Sequence, residues 1–357
     1  MRILVTGACG FVGSRILRRL REAMEHMELV GLDNLCRAGS ETNRVLLKEL
    51  GVKFVHGDVR SASDFESLPK VDWVIDAAAN PSVLAGVDGQ SSSRQVIEHN
   101  LSGTMNMLEY CRRHDAGFVL LSTSRVYSIP SLCALPLRTN DSRFILDTSK
   151  SLPVGVTAQG VNEGFNTTPP LSLYGVSKKM SEDLALEYAS AFKLPVWINR
   201  CGVMTGAGQF GRADQGIVAF WIHSWREGRP LKYLGFGGHG HQVRECLHPD
   251  DLAALLLKQM AWGTKEGRPR LGNVSGGLES AFSLAEMSAW CEKFFGKKHD
   301  VTKDGSERPF DIAWLVLDDA RLRAEWDWKP AITRDTMFEE VAKFAEANDR
   351  WMSVSAG

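Results

Sequence analysis

The stretch MRILVTGACGFVGSRIL, residues 1–17, places three glycines, Gly7, Gly10 and Gly13, between an apolar run and a helix-like one. Residues 2–6 (Arg-Ile-Leu-Val-Thr) read as a short buried strand, because apolar runs of this length bounded by glycine are strand-like. Val12, Ile16, Leu17, Leu20 and Met24 then recur at helical spacing. A strand that turns through glycines into a helix leaves backbone N–H groups without partners at the helix N-terminus, and an anion fits there. The first glycine permits the tight turn, the second lets a pyrophosphate approach the backbone, and the third lets helix and strand pack closely. Phe11 and Val12, where the helix begins, belong to the same expected anion site. The first glycine interval is one residue longer than in the commoner dinucleotide fingerprint.

Twenty residues beyond Gly13, MELVGLDN (27–34) reads as a second strand that ends in Asp33 and is followed by Asn34. A carboxylate there accepts hydrogen bonds from an adenosine ribose and repels an added 2′-phosphate. The expected cofactor is therefore NAD rather than NADP.

At 357 residues the chain is long enough for two domains and a sizeable core. Its net charge of −1, with acids and bases intermixed, gives no nucleic-acid tract and no membrane-surface patch. No apolar run reaches the roughly 18 residues of a membrane span, and Met1 leads straight into the first strand, so a cytoplasmic protein is expected. Seven scattered cysteines without a Cys-x-x-Cys pair are expected as reduced thiols, with no metal site.

Further apolar runs follow at 28–33, 52–59, 71–79, 117–123 and 195–200, with helical stretches between them. The alternation predicts an α/β, Rossmann-like doubly wound parallel sheet over residues 1–200, interrupted by a long insert at 128–170. Ligands of such sheets sit at the carboxyl ends of the strands, where Asp58 and Val59, Ala77 to Asn80, and Ser122 to Ser124 fall. After residue 200 the rhythm changes to short apolar pieces between glycine-rich loops. Residues 201–357 are expected to form a smaller C-terminal substrate-binding lobe, with some segments returning to the first domain.

YGVSKKMSEDLALEYA places Tyr174 and Lys178 four residues apart at the start of a helical segment, so both project from one face. An ammonium beside a phenol favours phenolate, which removes a hydroxyl proton near neutral pH. Alcohol oxidation requires such a base beside a hydride acceptor.

Together with LLSTSRVY (120–127), these features resemble the extended short-chain dehydrogenase/reductase family of NAD-dependent nucleotide-sugar epimerases and dehydratases, from Gly7 to about residue 330. The resemblance implies that Thr123, four residues before Tyr127, shares the substrate hydroxyl with Tyr174, with Ser122 and Ser124 as the other candidates. Asp58 and Val59 match the pair at the adenine, Ala77, Ala78 and Ala79 the small residues beneath the cofactor, and Asn100 the family's helix asparagine. Ser122 is placed with the cofactor ligands, and Ser124 and Arg125 with the substrate. Arg244, in HQVRECLHPDDL, and Arg308, in SERPFDIAWLVLDDARL, match ligands of the substrate diphosphate, a role that suits the planar guanidinium fork. Glu245 stands where Asp is usual, and Asp76 where many relatives carry histidine.

The 4,6-dehydratases of the family follow the Thr with an Asp-Glu pair. Here Ser124 and Arg125 occupy those places, so the resemblance implies epimerisation without elimination. Residues 33–47, the insert, and 202–222 are most similar to the epimerases that act on carbon 2 of CDP-linked paratose, and within the last stretch Gln209, Gln215 and Gly216 are expected at the substrate. A UDP-hexose 4-epimerase and a non-catalytic NAD-binding protein are the alternatives. The family also implies a homodimer through helices near 102–114 and 174–192.

Overall fold

The computed structural model describes residues 1–356 apart from 88, 90, 91, 213, 214, 264 and 266. Seven strands form its main sheet: β1 (Arg2–Thr6), β2 (Glu28–Asp33), β3 (Lys53–His56), β4 (Trp73–Asp76), β5 (Gly117–Thr123), β6 (Val196–Cys201) and β7 (Leu271–Val274). Their order is β3-β2-β1-β4-β5-β6-β7, and every pairing is parallel. The order reverses between β1 and β4, which opens a crevice at the carboxyl ends of the strands, the usual ligand position of such sheets.

Alternation along the strands builds one core on each face. Ile3 and Val5 point to one side, where Ile16, Leu17 and Leu20 of the helix Phe11–Ala23 and Leu252, Leu255 and Leu256 of the helix Pro249–Trp262 cover them. Leu4, Val74, Phe118 and Ile198 point to the other, beneath Met107 and Leu108 of the helix Gly103–His114 and Ala185 and Ala189 of the helix Leu173–Phe192. A parallel sheet is stable only with both faces covered in this way.

The chain after residue 200 contributes to both regions. It supplies the helix Pro249–Trp262 and strand β7 to the main sheet, and it forms a second, small sheet from Val203–Met204, Val243–Leu247 and Ala281–Ser283, with Trp314–Leu315 paired to Val243–Leu247. The insert folds as two hairpins, Leu137–Asn140 with Arg143–Leu146 and Val156–Thr157 with Gly160–Val161. The Phe144 N–H donates to the His241 carbonyl at 3.0 Å, and the Ser283 hydroxyl donates to the Ser142 carbonyl at 2.7 Å. Insert and small sheet therefore make one wall beside the crevice. No described helix is long and apolar enough to cross a membrane, and no group of three His, Cys, Asp or Glu among the described residues could hold a metal ion.

Candidate active site

The glycine turn is shaped by close approach rather than by flexibility. Gly7 has φ +61°, and a Cβ there would lie 2.8 Å from the Ala77 carbonyl oxygen; a Cβ on Gly13 would lie 2.1 Å from the Gly7 carbonyl oxygen. Gly10 caps the helix Phe11–Ala23 with no side chain folded over the first turn, so its N–H groups remain available to a phosphate. Phe11 is buried and Val12 half-buried at that turn.

Asp33, at the end of β2, accepts the Cys9 N–H at 2.9 Å and the Leu35 N–H at 2.8 Å. Burial pushes its carboxyl up, and those backbone donors oppose the shift. Asp58 lies nearby, bound to Arg60 at 2.7 Å and to the Asn34 amide at 2.9 Å. The Arg60 guanidinium holds the Asp58 carboxyl well below the ordinary range. The buried Val59 accepts the Asn106 amide at its carbonyl. Ala77, Ala78 and Ala79 continue from β4 under the glycine turn, with the Ala78 N–H on the Thr6 hydroxyl at 3.3 Å. Gly7, Gly10, Gly13, Asp33, Asn34, Asp58, Val59 and the three alanines thus share one end of the crevice, and their small side chains and free donors fit an adenine dinucleotide.

Tyr174 sits in the first turn of the helix Leu173–Phe192, whose N-cap Ser172 accepts the Gly175 N–H at 3.0 Å. Burial pushes the Tyr174 phenol up to about 12, while a hydrogen bond with Thr123 and the charge of Arg125 pull it down. Of the three candidate hydroxyls, Thr123 is the one beside Tyr174. Ser122 points to the opposite face of β5 and donates to Glu182 Oε1 at 2.6 Å, and Ser124 is buried in the 3-10 turn that follows. Lys178 is 1% exposed, with Nζ 3.9 Å from Asp76 Oδ2. Asn100 is buried beside this group, but its amide group is engaged with the Asn80 backbone and the Ser177 hydroxyl, so it ties the end of β4 to the Tyr174 helix.

Arg125, Arg244 and Arg308 converge from three separate segments. Burial lowers the Arg125 guanidinium to about 9, and the neighbouring Arg244 and Arg308 charges add to that effect. Arg244 is likewise lowered by burial, with Arg308 adding to the shift and Asp311 Oδ1, 3.6 Å away, opposing it. Asp311, the one carboxylate paired with these arginines among the described residues, is not singled out by the sequence: its partner Arg244 is remote along the chain, and no local pattern signals the pairing.

Gln209 and Gln215 are held by partners other than those three arginines. The Gln215 side chain accepts from Arg37 at 3.2 Å, Phe210 lies under the Arg37 guanidinium, and the Gln209 carbonyl accepts the Trp351 indole N–H at 2.8 Å. Arg15 of the glycine-turn helix reaches the Ala207 carbonyl at 2.8 Å. This segment therefore lies over the residues that follow β2, on the side of Asp33; Asp214 within it falls outside the described residues.

The sequence profile of the NAD dependent epimerase/dehydratase family matches residues 3–274. The chain belongs to that family. It is an enzyme of this kind, and its cofactor is NAD. The CDP-paratose 2-epimerase of Salmonella typhi is 27% identical over 344 residues, spanning 93% of this chain and 96% of that protein. A dTDP-glucose 4,6-dehydratase of Streptomyces antibioticus is 28% identical over 340 residues, spanning 92% and 88%. Among solved structures, the UDP-glucuronic acid 4-epimerase of Bacillus cereus in complex with UDP-glucuronic acid and NAD superposes with a TM-score of 0.75 at 23% identity, covering 97% of this chain and 99% of that one. The UDP-glucose 4-epimerase of Thermotoga maritima gives 0.76 at 20% identity, with 98% and 99% covered. These structures share the fold.

Proposed function

We propose that the protein epimerises a nucleotide-linked sugar by oxidising one secondary hydroxyl and reducing the ketone from its other face. The observation that carries this reading is the juxtaposition of Thr123 and Tyr174, one turn before Lys178, with Ser124 and Arg125 next along the chain. Neither of those two side chains is a carboxylic acid able to expel a hydroxyl, so the site supports oxidation and return rather than elimination. NAD, when bound, supplies reversible uptake of a hydride. Tyr174 takes the hydroxyl proton as base and gives it back as acid, Thr123 holds the reacting oxygen, and Lys178 holds the cofactor ribose beside it.

Among the described residues, three guanidiniums against the one paired carboxylate of Asp311 leave two positive charges, which the diphosphate of a nucleotide sugar would neutralise. The likeness to the CDP-paratose 2-epimerase supports carbon 2 of a CDP-linked deoxyhexose as the reacting centre. A homodimer is part of the same reading, supported by Met105, Met180 and Phe192, which expose apolar side chains on the two helices that would meet.

The test is isotopic. A simple 2-hydroxy sugar has no adjacent carbonyl to acidify its C–H bond, so inversion requires hydride transfer, which exchanges nothing with water. CDP-paratose carrying deuterium at carbon 2 should give CDP-tyvelose that keeps the label, and unlabelled substrate in heavy water should gain none. Solvent deuterium at that carbon would overturn the mechanism. Turnover of a UDP-hexose, with none of any CDP-hexose, would move the activity to 4-epimerisation. Mass analysis of the ligands released on denaturation gives an independent reading of the nucleotide.

A further inference from the structure

Asp76 closes β4 at the floor of the crevice, and it is 1% exposed. Its Oδ1 accepts the Thr6 hydroxyl at 3.1 Å, and its Oδ2 lies 3.9 Å from Lys178 Nζ, whose side chain is equally buried. Thr104 Oγ1 is 3.3 Å from the same Oδ2, yet its single hydrogen has a nearer acceptor in the Asn100 carbonyl at 2.8 Å. An isolated charge so far from water is very costly, and each member of this pair persists by facing the other. Neither side chain has another ion-pair partner among the described residues.

We propose that Asp76 is the positioning residue of Lys178, anchoring the ammonium at the foot of the Tyr174 helix and cancelling its charge, so that Lys178 acts by placement and not as an unbalanced cation. The proposal rests on the reading of Tyr174 as the base. The titratable and charged groups facing Tyr174 are then Lys178 on its own helix, Asp76 from β4, Arg125 from the turn after β5, and Cys201 at the end of β6, with Glu245 behind Cys201. Arg125 is the cation among them with no carboxylate in contact among the described residues, its side chain donating to the Phe310 carbonyl at 3.5 Å.

Asp76→Asn removes the charge, keeps nearly the same volume and leaves an acceptor for Thr6. Taking a negative charge away from this site favours the phenolate, so the acid limb of the kcat/KM profile should move to lower pH by about one unit, a tenfold change in proton affinity. Independently of turnover, the tyrosinate absorbance that Tyr174→Phe abolishes should rise at correspondingly lower pH in Asp76→Asn protein stripped of cofactor. A merely structural role would lower stability and move neither titration.

The pairing itself is tested by a thermal double-mutant cycle over Asp76→Asn, Lys178→Met and both together. Each single variant strands a buried charge or its partner, so the double variant should lose far less Tm than the two losses combined. A soluble double variant with insoluble single ones would express the same coupling. An unmoved or upward-moving titration, additive losses in Tm, or insolubility of all three variants would overturn the proposal. Because absorbance and Tm need no substrate, inactivity toward every nucleotide sugar would count against the proposed function and leave this test intact.

Discussion

The two ends of the crevice are built in opposite ways. The cofactor end draws Gly7 to Gly13, Asp33, Asp58 and Ala77 to Ala79 from the ends of adjacent strands of one sheet, where the ladder itself sets their spacing. The end proposed for the nucleotide sugar, the sugar end, collects Arg125, Arg308 and Asp311 from turns and loops and Arg244 from a strand of the small sheet, with Arg244 and Asp311 paired at 3.6 Å. A regular sheet makes one generic nucleotide site, whereas irregular segments carried beside it can change the sugar without disturbing the cofactor. Substitutions at the two ends, and at the tyrosine between them, should therefore separate cleanly.

The largest effect is expected where the ends meet. Tyr174→Phe removes the ionisable oxygen and little volume, so turnover should fall about 10²–10⁴-fold while NAD still copurifies. A loss below tenfold would assign the proton to another group, and loss of NAD would join what the comparison separates. Thr123→Val removes a hydrogen bond rather than a proton acceptor and should cost less than the tyrosine change. Next come the arginines. Arg244→Ala or Arg308→Ala should raise KM for the nucleotide sugar by about tenfold to a hundredfold, the range for a lost charge-assisted hydrogen bond, with NAD content unchanged.

Asp33→Ala should act at the other end alone. NAD affinity should drop about tenfold and the preference over NADP narrow, with KM for the sugar held; cofactor titration into stripped protein measures this. Equal or tighter binding of NADP by the unmodified protein would remove Asp33 as the discriminating residue.

The smallest effect concerns stability. Glu245 lies buried behind the sugar end, with Gly276 N–H on Oε2 at 3.3 Å and no cation in contact among the described residues, and burial pushes its carboxyl up from 4.5 to about 8. A carboxyl whose folded value is raised holds its proton more tightly when folded, so its contribution is complete below 4.5 and is lost as pH rises toward about 8. Glu245→Gln should raise Tm by a few degrees at pH 8 and by little at pH 5. A uniform change across that window would mean that the carboxylate is not titrating there.

The same division governs what could be read from the residues alone. Strands β1, β2 and β5 run as their apolar patterns predict, at 2–6, 28–33 and 117–123. The runs expected at 52–59 and 71–79 shorten to Lys53–His56 and Trp73–Asp76. Gly57 makes the last rung of the β2–β3 ladder, its N–H on the Asp33 carbonyl at 3.1 Å, and Ala77 to Ala79 leave the ladder to lie under the glycine turn. The insert showed no period because its hairpins are short and their partners, His241 and Ser283, are distant in sequence. Gln209, Gln215 and Gly216 are expected at the substrate from the family resemblance alone, and the contacts of Gln215 with Arg37 and of Gln209 with Trp351 follow no spacing rule. Asp76 was visible only as an unusual residue at a strand end, since the lysine that gives it meaning arrives from another element.

One turn beyond Lys178, Glu182 takes both Nε and Nη2 of Arg200, at 2.9 and 2.7 Å, and the Ser122 hydroxyl as well, with the two charged side chains 0% and 5% exposed. That clamp divides the helix Leu173–Phe192 in time as well as in space. Amide hydrogens around Glu182 lie behind a bidentate pair whose rupture would strand two buried charges, so they exchange with solvent only when the whole sheet opens. The last turn lies beyond the clamp and exposes Phe192 to solvent, so it is the part expected to open first. Tyr174 stands on the other side, in a buried first turn that Ser172 caps and that Asn100 ties to β4 through Ser177, and so it belongs with the slow-opening part of the helix.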